Sequence, residues 1–518
     1  MRRLNLTLAG LAATAVLAGC SALPSSTATP ENTTAPATTA AVTAAEVLAA
    51  NEDATTVTDD EWSMDAAVDI ALTGSSASTT AEGVTVDGNT VTITAAGVYR
   101  LSGSLAGQLV VDAPEDALVV LVLDGVDIAS NDTAAISVLN ADDVGLHLVD
   151  GTTNTLADTG SYPEDADVNA ALFSEQDLTI SGTGSLTVTG NGNDGITSED
   201  DLVILSGTIT VDAVDDGLRG KDSLTIEDGT ITVTAGGDGL KADNEEEDTR
   251  GYLAVSGGAV TVTAGDDGVD AETDVVITGG ELTIATSATD TDEATSKGVD
   301  AGAVFVIEDG KLTVTAAVEA IEAATVAIAG GTVDLTATDD GVNASTGSGE
   351  SMQADPGAAL EISGGTLTVD AEGDGLDSNG TLLISGGTTT VHGPTRGGNG
   401  ALDSNGGITI TGGTLVAFDT GDMAEAPDTS GQGWLIAAVA GNAGDAVRIA
   451  DASGDTIAEV SAAKAFGSVT FSSAEITNGQ SYQVGSTTVT AGEGGTGGPG
   501  GPGGGPGGGR PGGPGGNR

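Results

Sequence analysis

The stretch Asp215-Asp216-Gly217-Leu218-Arg219-Gly220-Lys221-Asp222 decides the reading of this chain, because residues 172–403 restate it with variations. Aligned on the Gly-apolar centre, copies appear at Asp194-Gly195-Ile196, Asp238-Gly239-Leu240, Asp267-Gly268-Val269, Lys297-Gly298-Val299, Glu319-Ala320-Ile321, Asp340-Gly341-Val342, Asp374-Gly375-Leu376 and Gly400-Ala401-Leu402. The shortest step is about 22 residues, and longer steps hold the same unit plus a polar insertion, as repeat proteins carry loops on one face. The repeat is that of a solenoid.

Runs such as Ser185-Leu186-Thr187-Val188-Thr189, Thr230-Ile231-Thr232-Val233-Thr234 and Lys311-Leu312-Thr313-Val314-Thr315 lie between the Asp-Gly turns. Apolar residues alternate there with threonine at period two, which predicts strands with one buried and one wet face. A second run per repeat, such as Asp274-Val275-Val276-Ile277 or Leu382-Leu383-Ile384-Ser385, is followed by Gly-Gly or Asp-Gly. Two or three short strands in so small a unit predict one coil of a parallel β-helix, in an all-β chain.

Residues 1–19 read as a bacterial lipoprotein signal: Arg2 and Arg3, an apolar run, then Leu17-Ala18-Gly19 before Cys20. Cys20 is the only cysteine and is the expected lipidation site, so no intrachain disulfide forms. Residues 20–60 are rich in Ala, Thr, Ser and Pro and are expected to be a disordered tether. The β-helix is expected over 61–420, its first coils less regular. A small antiparallel β cap is expected over 430–490, because an open solenoid end exposes strand edges. Residues 491–518, nearly all Gly and Pro, are expected to be a disordered tail.

The chain carries 77 acidic against 14 basic residues, net −63. That balance excludes nucleic acid as a partner, since phosphate needs Lys and Arg, and leaves cations as the natural ligands. No second stretch is apolar enough to span a membrane, so membrane attachment would be through the lipid anchor alone, on the extracellular face.

In the alignment the residue before the Gly forms one column (Asp194, Asp216, Asp238, Asp267, Lys297, Glu319, Asp340, Asp374). The residue three later forms another (Thr197, Arg219, Lys241, Asp270, Asp300, Glu322, Asn343, Asp377, Asp403). Stacked coils put column neighbours about 4.8 Å apart, where two carboxylates repel by roughly 0.9 kcal/mol in bulk water and about 3.5 kcal/mol at an effective dielectric of 20. A bound cation would cancel this, and calcium, which accepts six to eight oxygens in flexible geometry, suits it best. The metal candidates are Asp215, Asp216, Asp266, Asp267, Asp270, Asp300, Asp339, Asp340, Asp374 and Asp377. A structural alternative stays open: each Asp folds its own turn by accepting from the backbone just after it, with the Gly at positive φ. Arg219, Lys221 and Lys241 cluster beside the columns and are the candidates for gripping a uronate carboxylate. A lysine there would act as base in a β-elimination only with a lowered pKa, and no distinct acid partners it.

The chain resembles the bacterial carbohydrate-binding β-helix family of calcium-binding surface proteins that bind cellulose and pectic acid, similar in fold to right-handed β-helix pectate lyases. The resemblance rests on Gly97-Val98-Tyr99-Arg100-Leu101-Ser102-Gly103, Val122-Leu123-Asp124-Gly125-Val126-Asp127-Ile128, Asn193-Asp194-Gly195-Ile196, residues 215–222, Asp238-Gly239-Leu240-Lys241-Ala242-Asp243, Lys464-Ala465-Phe466-Gly467-Ser468 and Gly479-Gln480-Ser481-Tyr482. It covers about residues 66–484 and implies a right-handed solenoid, calcium and polysaccharide binding, with no requirement for catalysis. The coil at Glu319-Ala320-Ile321-Glu322 lacks the Asp-Gly turn and Asn399-Gly400-Ala401-Leu402 lacks its acid, which departs from the pattern.

The expected function is calcium-dependent binding of polysaccharide at the cell surface. With Trp62 and Trp434 far apart in sequence and aromatic residues only 2% of the chain, an acidic, pectin-like glycan is favoured over cellulose. A calcium-stiffened adhesive or structural role without glycan affinity is the alternative, and a polysaccharide lyase a lesser one. The outward pairs Thr187/Thr189, Thr232/Thr234, Thr261/Thr263 and Thr313/Thr315 would also form a flat ladder like that of ice-binding β-helices, interrupted at Asp212, Ala285 and His392.

Overall fold

The computed structural model describes residues 42–163, 166–286, 296–347 and 353–494. The signal segment, Cys20 and the Gly/Pro tail from residue 495 on lie outside them.

The chain winds as a parallel β-helix with three strands per coil. The alternating strands stack in one parallel ladder, Thr187 on Thr210, Thr232, Thr261, Thr283 and Thr313 in turn. The short strands after the Asp-Gly turns form a second ladder, Ile196 on Leu218, Leu240, Val269, Val299 and Ile321. The second run of each repeat forms the third, Leu178 on Leu202, Leu224, Leu253, Val275 and Phe305. Side chains on the inner side of all three ladders meet in one continuous core from Ile70 to Ala417. At the far end Thr414–Asp419 pairs antiparallel with Ser468–Ser472, which also pairs with Trp434–Ala437. A four-stranded antiparallel sheet follows, and Phe418, Phe466, Phe471 and Tyr482 supply a separate aromatic-rich core under this cap.

The glycine of each Asp-Gly pair has a different job from the one expected of it. None of Gly195, Gly217, Gly239, Gly268, Gly341 and Gly375 is among the positive-φ glycines. A Cβ on Gly239 would instead lie 2.1 Å from Val262 Cγ1 and 2.7 Å from the Gly268 carbonyl oxygen. The same clash with a β-branched side chain recurs at Gly195 with Val211, Gly217 with Val233 and Gly375 with Val391. Where the pattern departs, the interior partner departs with it: Leu335 replaces the valine in the coil of Ala320, and Ala417 in that of Ala401. Positive φ belongs to the other turn, as at Gly229 and Gly258.

Residues 42–60 are not the free tether that their composition suggested. A short helix, Ala44–Leu48, and the segment after it run back along the outside of the third ladder, from the coil of Ala327 towards that of Val98. Ala44 and Val47 pack on Val276, Val306 and Ala327, while Val57 and Trp62 pack on Val98, Val120 and Val122. The outward column beneath is small or apolar throughout: Val98, Val120, Gly145, Thr179, Val203, Thr225, Ala254, Val276, Val306 and Ala327 stand in register. Polar pins fix this strap between its apolar ends. Asn51 Nδ2 donates to Asp274 Oδ2 at 2.8 Å, Thr55 N to Asp201 Oδ2 at 2.8 Å and Val57 N to Thr179 Oγ1 at 2.9 Å. Glu52 pairs with Arg250, and its carbonyl accepts from the Tyr252 hydroxyl.

Two substitutions test the packing. Gly239→Ala should destabilise by about 1–3 kcal/mol through overpacking, and adding Val262→Ala, which removes the clashing methyls, should restore part of the loss rather than add to it. Thr389 stands in the interior column between Leu367 and Leu415, fully buried with no partner for its hydroxyl. Thr389→Val should therefore stabilise by about 1 kcal/mol. Denaturant melts read both.

Candidate metal centre

The acids of the repeat converge on one edge of the solenoid, at the turn leading into the second ladder. Both columns stand in the expected register: Arg219 on Lys241, then Asp270, Asp300 and Glu322, and further along Asn343, Asp377 and Asp403. The first-column carboxylates do not fold their own turns. The aspartates among them accept from the backbone N–H of the equivalent residue one coil on: Asp216 N to Asp194 Oδ1 at 3.2 Å, Asp238 N to Asp216 Oδ1 at 2.8 Å and Asp267 N to Asp238 Oδ1 at 3.0 Å. Lys297 N to Asp267, Asp374 N to Asp340 and Gly400 N to Asp374 continue the series at 2.5, 2.6 and 2.5 Å. These bonds run along the solenoid axis, so each acid holds two coils together through a charged acceptor, the stronger kind of hydrogen bond.

Asp267, Asp270 and Asp300 form a group on this edge, with one carboxylate oxygen from each within 4.8 Å of the others. An all-oxygen set of three partly buried carboxylates can hold a hard cation. Burial first, then the charges of their neighbours, push Asp267 up to about 8 and Asp270 up to about 7. The same causes take Asp194 and Asp377 to about 7 and Asp340 to about 8. Burial raises Asp374 to about 6. Within the second column Asn343 donates to Glu319, but its buried Oδ1 has no hydrogen-bond partner.

The other metal candidates fall differently. Asp215, Asp266 and Asp339 are exposed on the outer side of the turn. Asp216 sits 3.2 Å from Lys241 Nζ. Asp340, Asp374 and Asp377 occupy later coils of the same edge. A second group, Asp177, Asp200 and Asp201, lies beneath the strap with Asp222 and Arg250 nearby. Sequence reasoning missed it, although aligning the second run of each repeat would have stacked Asp143, Asp177 and Asp201 at the strand starts.

The three basic candidates are not equivalent. Arg219 is clamped between Glu199 at 2.6 Å and Asp243 at 3.0 Å. Lys241 Nζ lies 2.5 Å from Asp238 and 3.2 Å from Asp216, with Asp270 at 3.8 Å. Burial alone would lower its pKa, but the hydrogen bond to Asp238 and the surrounding carboxylates outweigh that and hold the ammonium above its usual range. A general base needs the opposite shift. Lys297, a member of the first column, is a further internal counterion, 2.5 Å from Asp300 and 2.7 Å from Glu322. Lys221 is the most accessible of the three, its side chain 35% exposed and 3.7 Å from Glu199.

Residues 87–341 match a family model described as carbohydrate-binding domain-containing protein. A protein of Acetivibrio thermocellus with the same description is 40% identical over 137 residues, covering 26% of this chain and 48% of that protein. The chain thus spans about half the length of that relative. A solved structure described as the polysaccharide lyase-like protein from C. thermocellum, a gadolinium derivative, aligns at 36% identity with a TM-score of 0.44 over 46% of this chain and 95% of that one. The chain is therefore a homologue of carbohydrate-binding domain proteins, built on a parallel β-helix.

The raised carboxylate pKa values give stability a definite pH dependence. A group whose folded pKa lies above its unfolded value contributes stability that is complete below about pH 4 and lost as the pH rises through the folded value. In chelator the melting temperature should therefore fall by several degrees between pH 5 and pH 9. A divalent cation should flatten the fall by replacing the lost protons. Equal melting at the two pH values in chelator would show that these acids ionise freely in the fold.

Proposed function

We propose that this chain is a lipoprotein, anchored through Cys20 on the extracellular face of the membrane, that binds acidic, pectin-like polysaccharide in a calcium-dependent way. The observation that carries the reading is the Asp267–Asp270–Asp300 group within a register-matched acidic edge on a homologue of carbohydrate-binding domain proteins. Asp267, Asp270 and Asp300 would hold the ion, the first with the oxygen not engaged by Lys297 N. Calcium bound there would cancel like charge between coils and offer open coordination to a uronate carboxylate. Lys221 is the basic side chain placed to contact such a glycan, since Arg219 and Lys241 are enclosed by carboxylates.

A second reading, a calcium-stiffened adhesive or structural surface protein, draws support from the stitching itself, because the first-column acids already join coil to coil. The lyase reading draws no support from Lys241, whose ammonium the neighbouring carboxylates keep above its usual range.

Calorimetric titration with polygalacturonate separates them. Binding should appear with calcium, vanish with excess chelator and weaken at least tenfold in Asp270→Asn/Asp300→Asn. Calcium-dependent melting without any polygalacturonate affinity would favour the structural role, and a rise in absorbance at the wavelength of an unsaturated product would restore the lyase.

A further inference from the structure

The strap does more than cover an apolar column, because its flank forms a wall. Between strap residues Thr56, Thr58 and Asp59 and the coil edges from His147 to Glu227 lies a cleft of about 650 Å³. A second cavity of about 290 Å³ continues it from Glu227 to Thr278, sharing Thr56 and Glu227 with the first. Joined, they make a groove parallel to the solenoid axis. It crosses six successive coils at His147, Ser181, Leu205, Glu227, Ser256 and Thr278, about 24 Å at the inter-strand spacing. A groove of that shape repeats once per coil, which suits an extended polymer rather than a compact ligand.

Its chemistry narrows the polymer. Thr56, Thr58, Ser181, Thr183, Ser206 and Ser256 set hydroxyl oxygens along its length; Thr58, Thr183 and Ser206 already donate to Asp60 and Glu61, to Asp150 and to the Gly182 carbonyl, which leaves those three as acceptors. Asp59 and Glu227 add acceptors, and Asp150 accepts from Thr183 Oγ1 at 3.0 Å. Among the described residues no Lys or Arg lines either cavity. Carboxylate-bearing sugars would meet like charge there with nothing to compensate it. At one end His147 meets Trp62 edge to face, ring centroids 4.9 Å apart, which places an aromatic body against the groove mouth. Sugars carry both hydroxyl edges and apolar ring faces, and this lining answers both.

We infer that the strap-walled groove is a binding site for a single chain of uncharged, hydroxyl-rich glycan, separate from the acidic edge and independent of calcium. The inference rests on reading the chain as polysaccharide-binding, and deepens it with a second substrate class at a second place. One wall comes from strap residues between Asp53 and Asp59, which precede the matched residues 87–341. The groove is thus a property of this chain's own N-terminal segment.

The test uses the full chain in chelator, titrated with neutral β-glucan, β-mannan and β-xylan hexasaccharides. Thr183→Trp and Ser256→Trp fill the groove from exposed positions and should leave the melting temperature unchanged. At least one hexasaccharide should bind without calcium, and each substitution should weaken it tenfold or more while calcium-dependent polygalacturonate binding stays as in the parent. No hexasaccharide affinity, affinity equal in parent and both variants, or binding of oligolysine in place of sugar would each overturn the assignment. Absence of calcium-dependent polygalacturonate binding already in the parent would instead remove the acidic-edge reading and leave the groove standing.

Discussion

A carboxylate stacked on a carboxylate at the spacing of β-strands is the constraint on which the rest of this solenoid depends. The fold repeats its turn every coil, so any acid useful in one turn reappears about 4.8 Å away in the next. Left alone, such a column would push the coils apart. Here the first column is turned to advantage, because each Asp accepts the N–H of the following coil and so pulls the neighbour in. The bond fixes the coil spacing but not the charge. Protons, lysines or metal ions must supply that: burial favours the protonated form of Asp267 and Asp270, and Lys241 and Lys297 are set within the edge.

The two lysines change how the edge is read. A basic residue beside an acidic ladder suggests a grip for an anionic ligand, but Lys241 touches three aspartates, and Lys297 one aspartate and one glutamate. Their charge is consumed internally. The group of Asp267, Asp270 and Asp300 lies between them, where three carboxylates share only the edges of two ammonium groups. A cation could be held there, and in the proposed function bridging to a glycan would fall to that cation rather than to these two lysines.

Much of this was legible in the sequence, since a one-residue error of register would have scrambled both columns, and neither is scrambled. Two things were not legible, for different reasons. The glycine of Asp-Gly looks like a turn residue because turns are its commonest use, whereas its cause here is a valine sixteen or more positions away, visible only once the coil closes. The strap left a sign in the runs Leu202-Val203-Ile204, Val275-Val276-Ile277 and Phe305-Val306-Ile307, which fail to alternate and so announce a covered outer face. The sign says that something covers the face but not what. Residues 42–60 are too polar and too rich in alanine and threonine to declare themselves as the cover, because much of their attachment runs from the backbone N–H groups of Ala44, Thr55 and Val57 to the Glu308, Asp201 and Thr179 side chains.

That mode of attachment has a functional consequence. A strap held by polar pins leaves its own side chains free to face outward, so Thr56, Thr58 and Asp59 stand beside the coils instead of being buried among them. An apolar cover would have sealed the third ladder and ended in a smooth surface. A polar strap ends in a ledge, and a ledge running along a surface that repeats every coil is a groove with the periodicity of a polymer. The acidic edge and this groove lie on different sides of the coil, one at the turn into the second ladder and the other over the third. Were both proposed sites occupied, charged and uncharged chains would therefore lie on different sides of the coil.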